Sequence, residues 1–157
     1  MRKVIKNVIL ITSLITFSPL AGIQAVDSSN KPVSYKVVND SKSSAFDWNS
    51  VMAAIIEVES EGNPRAVSGK SVGVMQITPV LVEDCNQILK RRNSNKRYTL
   101  ADRYNVQKSK EMFLLYQSWY NPENDVEQAI RSWNGGMRYT KRGTQRYFEK
   151  VMKAMKN

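Results

Sequence analysis

Asp47-Trp48-Asn49-Ser50-Val51-Met52-Ala53-Ala54-Ile55-Ile56-Glu57-Val58-Glu59-Ser60-Glu61-Gly62-Asn63-Pro64, followed closely by Gly73-Val74-Met75-Gln76-Ile77-Thr78-Pro79, decides how the rest of this chain reads. At about 100° per residue, a helix over 48–60 gathers Trp48, Val51, Met52, Ile55, Ile56 and Val58 on one broad face, with Glu59 near its centre. Glu57 falls on the opposite side with Ser50 and Ala53, and Glu61 lies off the apolar arc. Glu59 is therefore the one glutamate of this cluster that points at the core. Burial penalises the charged form of a carboxyl, so Glu59 should hold its proton to higher pH than an ordinary glutamate, which makes it a candidate general acid. The plainer alternative is that Glu59, on the last turn, faces solvent or pairs with Arg65. Asp47 is a good N-cap for this helix, and Gly62-Asn63-Pro64 is a firm stop.

Beyond the stop, the glycines and serines of 66–73 around single valines predict irregular chain or a short hairpin. Thr78 and Pro79 are an N-cap and a first-turn residue, opening a second helix to about Lys90. Gln76 then stands just before that N-terminus with its amide free to face the first helix, and the plainer reading of the segment is a turn with Met75 as core filler. Cys85 shares an apolar face with Leu81, Ile88 and Leu89 and reads as core. Lys90, Arg91, Arg92, Lys96 and Arg97 form a basic cluster suited to a solvated loop or to attraction toward anionic envelope polymers, and not to nucleic acid in an exported protein. Asn105 caps a third helix with a wide face of Val106, Met112, Phe113, Tyr116, Trp119 and Tyr120. After Asn121-Pro122, Asp125 caps a short helix carrying Val126, Ala129, Ile130 and Trp133, which Asn134-Gly135-Gly136 ends. A last amphipathic helix over about 144–155 buries Tyr147 or Phe148 with Val151, Met152 and Met155. The expected fold is mainly α, with a small hairpin or irregular segment near 66–77.

The 157 residues allow one domain, and the first quarter does not look like part of it. Arg2, Lys3 and Lys6 precede the apolar run from Val8 to Leu20, and Ile23-Gln24-Ala25 follows, which is the layout of a secretory signal peptide over 1–25. An uncleaved anchor is the alternative. Cleavage would lower the formal charge from +10 to +7 by removing those three cations. Residues 26–45 read as a flexible leader and 46–157 as the domain. With a single cysteine there is no intramolecular disulfide, and with no histidine there is no Ser-His-Asp triad, Cys-His dyad or ordinary zinc site. Catalysis, if present, rests on carboxylates, hydroxyls or lysine, and no cofactor or metal is implied.

Three blocks in order resemble the lytic transglycosylases of the lysozyme-like superfamily, with the soluble-lytic-transglycosylase type of catalytic domain. Glu59-Ser60 with Asn63-Pro64, Ala66 and Ser68 resembles E-S-x-x-N-P-x-A-x-S, and Gly73 to Pro79 resembles G-L-M-Q-x-x-P. Ser132-Trp133-Asn134-Gly135-Gly136 resembles A-Y-N-A-G, and Tyr147 matches the family's late tyrosine. The resemblance implies a lysozyme-like fold and cleavage of the β-1,4 bond from N-acetylmuramic acid to N-acetylglucosamine, with a 1,6-anhydro product and Glu59 as sole acid/base. It implies that Ser60 and Ser68 lie beside the acid, that Met75 and Gln76 line the sugar cleft, and that Asn134 and Tyr147 hold the N-acetyl group and the glutamate, with Trp133 also at the substrate. It makes peptidoglycan strands the partner; the layout of 1–25 adds the periplasm or envelope as the expected location, and the small size suits a monomer that opens a local gap for a secretion, conjugation or phage-related machine. Trp133 departs from the pattern: an indole donates but does not accept, so a hydroxyl contact to the acid from that tyrosine is lost. The segment 84–103 looks longer and more basic than usual. Two other functions compete: a goose-type lysozyme using water, which wants a second carboxylate from Glu83, Asp84, Glu123 or Asp125, and a non-catalytic wall-binding assembly protein.

Overall fold

The structure, a computed structural model, describes residues 46–156. The expected signal peptide over 1–25 and leader over 26–45 lie outside the described residues. Five helices and one hairpin follow in the order α1 (Asn49–Ser60), β1 (Val67–Ser68), β2 (Ser71–Val72), α2 (Pro79–Arg91), a 3₁₀ turn (Leu100–Tyr104), α3 (Val106–Tyr120), α4 (Val126–Gly135) and α5 (Lys141–Ala154). The architecture is mainly α, as the residue pattern predicts.

Helix α1 buries Val51, Met52, Ala54 and Ile55. Asp47 acts one residue further out than expected: its Oδ1 accepts the Asn49 N–H at 2.9 Å, while Trp48 occupies the capping position. The helix ends as Glu61 and Gly62 both turn left-handed, with φ of 52° and 78°. The hairpin pairs Val67 with Val72 and Ser68 with Ser71, antiparallel. Val72 also exchanges backbone bonds with Ile77, at 3.2 and 2.9 Å, which closes the 73–76 segment into a tight loop.

Thr78 caps α2 through its Oγ1, which accepts the Leu81 N–H at 3.2 Å. Cys85 is fully buried, and burial pushes its thiol up to about 12, as befits a core residue. The 3₁₀ turn, set within a segment that reads from sequence only as a basic loop, is anchored by Asp102, whose carboxylate accepts the Thr99 N–H at 2.7 Å. Arg103 is buried there. Its guanidinium donates to the carbonyls of Lys70 at 3.1 Å and Ile77 at 3.2 Å, tying the turn to the hairpin and the loop.

Asn105 caps α3 by accepting the Lys108 N–H, and Asp125 caps α4 by accepting the Gln128 N–H, each at 3.0 Å. On α3, Met112, Phe113 and Tyr116 are core, but Val106 is exposed, because a first-turn residue points past the end of the packed face. Trp119 is half-buried beneath the guanidiniums of Arg91 and Arg92, 5.8 and 5.5 Å from its ring. Helix α5 starts ahead of the expected Thr144: Thr140 is the cap, its Oγ1 accepting the Gly143 N–H at 3.1 Å, and Thr144 is buried inside the helix. Two threonines four apart both fit the capping pattern, and the helix runs through Gly143 between them. The edge-to-face rings of Trp48, Phe113 and Trp133, at 5.7 and 5.2 Å, run through the core toward the end of α4.

Candidate active site

The last turn of α1 and the middle of α5 meet at one hydrogen bond: the Tyr147 hydroxyl donates to Glu59 Oε1 at 2.7 Å. The other carboxylate oxygen takes no hydrogen bond from the described residues. Burial raises the Glu59 carboxyl above its ordinary 4.5, and the Tyr147 bond opposes that rise as the smaller effect. Tyr147 itself is pushed far above the ordinary phenol range, by burial first and then by the Glu59 charge, so it stays a donor. Glu59 makes no ion pair with Arg65 or any other described cation.

These two groups open on a cavity of about 430 Å³. Asn134, at the exposed end of α4, joins them there. Gly143, Arg146 and Lys150 complete the α5 wall. Among the described residues Glu59 is the sole acid lining this cavity: Glu83 lines a different cleft with Lys90 and Arg97, Asp125 is committed as a cap, and neither Asp84 nor Glu123 reaches the wall.

The remaining expected site residues take other places. Ser60 Oγ donates to the carbonyls of Val74 at 2.8 Å and Ile56 at 3.3 Å, fastening the end of α1 to the 73–76 loop. Ser68 is exposed on the hairpin and does not line the Glu59 cavity. Met75 does not line a sugar cleft with its side chain, which is completely enclosed; its carbonyl instead accepts the Trp133 indole N–H at 3.1 Å. Gln76 has a left-handed backbone, φ 50°, and its Nε2 donates to the carbonyls of Gly73 at 2.9 Å and Ala66 at 3.3 Å, so its amide shapes the loop and does not bond Glu59. Its Oε1 is buried without a partner. Gln76 and Trp133 share a separate small recess with Thr78 and Leu81, so consecutive residues Trp133 and Asn134 serve two different concavities.

Three residues that shape the site do not stand out in the sequence. Arg146 and Lys150 flank Tyr147 on α5 at spacings that share a helix face, legible only once Tyr147 is known to point inward. Arg131 is buried, donating to Lys141 O at 3.0 Å, Thr144 Oγ1 at 3.1 Å, Gln145 Oε1 at 2.9 Å and Glu127 Oε1 at 2.8 Å, with Phe148 stacked 4.2 Å away. It clamps α4 to the start of α5 and thereby sets where Tyr147 stands.

No curated protein sequence and no solved structure matches the chain significantly. The profile of the transglycosylase SLT domain, however, matches residues 37–155, which takes in the whole of the described fold but its last residue and part of the segment before it. A match over three quarters of the chain, on a mainly helical body with one small antiparallel hairpin, is consistent with the lysozyme-like architecture: the chain belongs to the lytic transglycosylase family defined by the SLT domain.

Proposed function

We propose that this protein is an exported peptidoglycan lytic transglycosylase that cleaves the MurNAc-β-1,4-GlcNAc bond and closes the muramoyl residue to its 1,6-anhydro form, with Glu59 as the single general acid/base. The observation that carries the reading is one half-buried carboxyl, held on Oε1 by Tyr147, with no second acid among the described residues that line its cavity. Glycosidases that use two carboxylates keep them within about 5–9.5 Å across the scissile bond. Here the substrate supplies what a second acid would. Glu59, protonated because burial raises its pKa, donates to the glycosidic oxygen. The muramoyl N-acetyl group steadies the oxocarbenium-like transition state, and Asn134, which lines the same cavity, holds it in this reading. The Glu59 carboxylate then accepts the proton of the 6-hydroxyl as that oxygen attacks the anomeric carbon, so no water is consumed. Tyr147 favours the carboxylate for this second half, as burial favours the acid for the first.

The family supports peptidoglycan as substrate. The layout of 1–25 supports export to the periplasm or envelope, where a basic protein meets an anionic wall. The decisive test is digestion of purified wall by the wild type and by Glu59→Gln. Mass spectrometry should find 1,6-anhydro-muropeptides from the wild type and about 10²- to 10⁴-fold less from the variant. Reducing muramic acid ends from the wild type would point to the hydrolase, and equal product from both proteins would remove Glu59 from the chemistry.

A further inference from the structure

Two cations share the cavity with Glu59, and the acid uses neither. Gly143, Arg146, Tyr147 and Lys150 form one stripe of α5, spaced i, i+3, i+4 and i+7, so the two cations flank the tyrosine that holds the acid. Among the described residues neither makes a hydrogen bond or ion pair, whereas nearby Lys141 is paired with Glu127 and Arg131 is enclosed. A cation within reach of Glu59 would favour its carboxylate, yet the group that opposes burial there is the Tyr147 hydroxyl. Positive charge is therefore held in the cavity but off the acid. Glu149, bonded to Gln145, stands off this stripe. Glu57 and Glu61 line an adjoining recess with Lys150 and Lys153, so Lys150 stands between the two, whereas Arg146 lines only the cavity that holds Glu59.

Resting on the reading that the cavity holds a muramoyl residue, we propose that Arg146 and Lys150 form an anion subsite for the carboxylates of the stem peptide carried by that residue. With its lactyl carboxyl tied up in the amide to the stem the muramoyl sugar is neutral, so the stem carboxylates bring the negative charge that the substrate has to offer. It hangs from the same ring whose anomeric carbon reacts, and such a tether confines its carboxylates near the α5 wall, which raises their effective concentration at two exposed cations. The enzyme would then distinguish strands that still carry stems from strands already stripped of them.

Three preparations of glycan test this: strands with stems, strands stripped by an amidase with their freed lactyl carboxyls then converted to amides, and strands whose stem carboxyls have been converted to amides. Wild-type kcat/KM should be about fivefold to tenfold higher on the first than on either of the others, the range expected of two exposed charge pairs. In the Arg146→Gln/Lys150→Gln variant that ratio should fall to about one. A ratio that survives the double substitution, or survives amidation with the wild type, overturns the subsite, as does equal cutting of all three by the wild type. Competition by a phosphate polymer without any effect of amidation would assign the cations to wall phosphates and overturn the stem reading. Absence of all cutting would instead count against the proposed reaction. The subsite is then read without turnover: Glu59→Gln protein should co-sediment better with stem-bearing than with stripped wall, and equal sedimentation overturns it.

Discussion

Two opposing influences act on the Glu59 carboxyl, and the proposed reaction uses both. Burial favours the protonated form, the Tyr147 hydroxyl favours the ionised one, and burial is the larger. Removing the hydroxyl should tip the balance further. Tyr147→Phe is expected to move the alkaline limb of the kcat/KM profile to higher pH, since a pKa-lowering bond is gone, while reducing kcat by about tenfold or more because the acid is no longer oriented. A limb that stays put would show that Tyr147 does not set the acid's protonation. Stability follows the same group with a definite sign. A carboxyl whose folded pKa lies above its unfolded value leaves stability undiminished below the unfolded pKa, and stability is lost as pH rises through the folded one. Glu59→Gln keeps an acceptor for Tyr147 and removes the charge, so its Tm should match the wild type below about pH 4.5 and exceed it above the raised pKa. Thermal melts across that range check the crossover. Helical phase alone exposes Glu59, since a charge on an apolar arc is visible in any sequence. Met75 shows the limit: a motif gives residue types in order, not which atom faces the cavity, and here the backbone carbonyl is the working part while the side chain fills the core.

A buried guanidinium adds to the apolar contacts that hold helices α4 and α5 as a pair. Arg131 satisfies the Lys141 carbonyl, Thr144 and Gln145 at the first turns of α5, and its Nε meets Glu127. On either side of the Glu127 carboxyl, Lys141 and then Arg131 hold it below the usual range. Arg131→Met fills similar volume but leaves the Thr144 and Gln145 groups without their donor, and should lower unfolding free energy by about 2–4 kcal/mol in urea titrations. The same variant should lose more in kcat than in KM, because what shifts is the start of the helix that positions Tyr147, and a lysine variant should not restore it, lacking the planar fork. Unchanged kcat in a folded variant would separate the clamp from the site. Sequence reading finds the caps of α2, α3 and α4, since Thr78, Asn105 and Asp125 each stand alone at the right place. It misplaces the start of α5 because the local signals at Thr140 and Thr144 are equivalent and only tertiary contacts choose: Thr144 is taken by Arg131, which leaves Thr140 to cap.

The 73–77 loop is where distant parts of the chain converge. Ser60 from α1 donates to the Val74 carbonyl, Trp133 from α4 to the Met75 carbonyl, and Arg103 from the 3₁₀ turn to the Ile77 carbonyl, while Gly73 N–H and the Gln76 amide both reach Ala66 beside the hairpin. The long basic segment over 84–103 thus has a structural end: its buried arginine fastens the loop against which the acid-bearing helix is tied. The bonds from Ser60, Trp133 and Arg103 are not legible from spacing, because each joins a side chain to a carbonyl remote in sequence. Gly73 is the point of closest approach. Its φ is 78°, and a Cβ there would stand 1.9 Å from the Arg103 carbonyl oxygen, a backbone atom that cannot swing aside. Gly69, on the hairpin, has a similar φ of 58° but nothing within 4 Å. Comparing the two isolates the contact from the backbone conformation. Gly69→Ala should cost about 1 kcal/mol, the strain of a left-handed alanine, whereas Gly73→Ala should cost about 3–5 kcal/mol by adding a backbone clash. Activity should separate the pair in the same direction, since moving Arg103 away releases the loop that Ser60 grips next to Glu59. Equal urea midpoints for the two variants would mean that the loop yields freely and that the acid is positioned by α1 and Tyr147 alone.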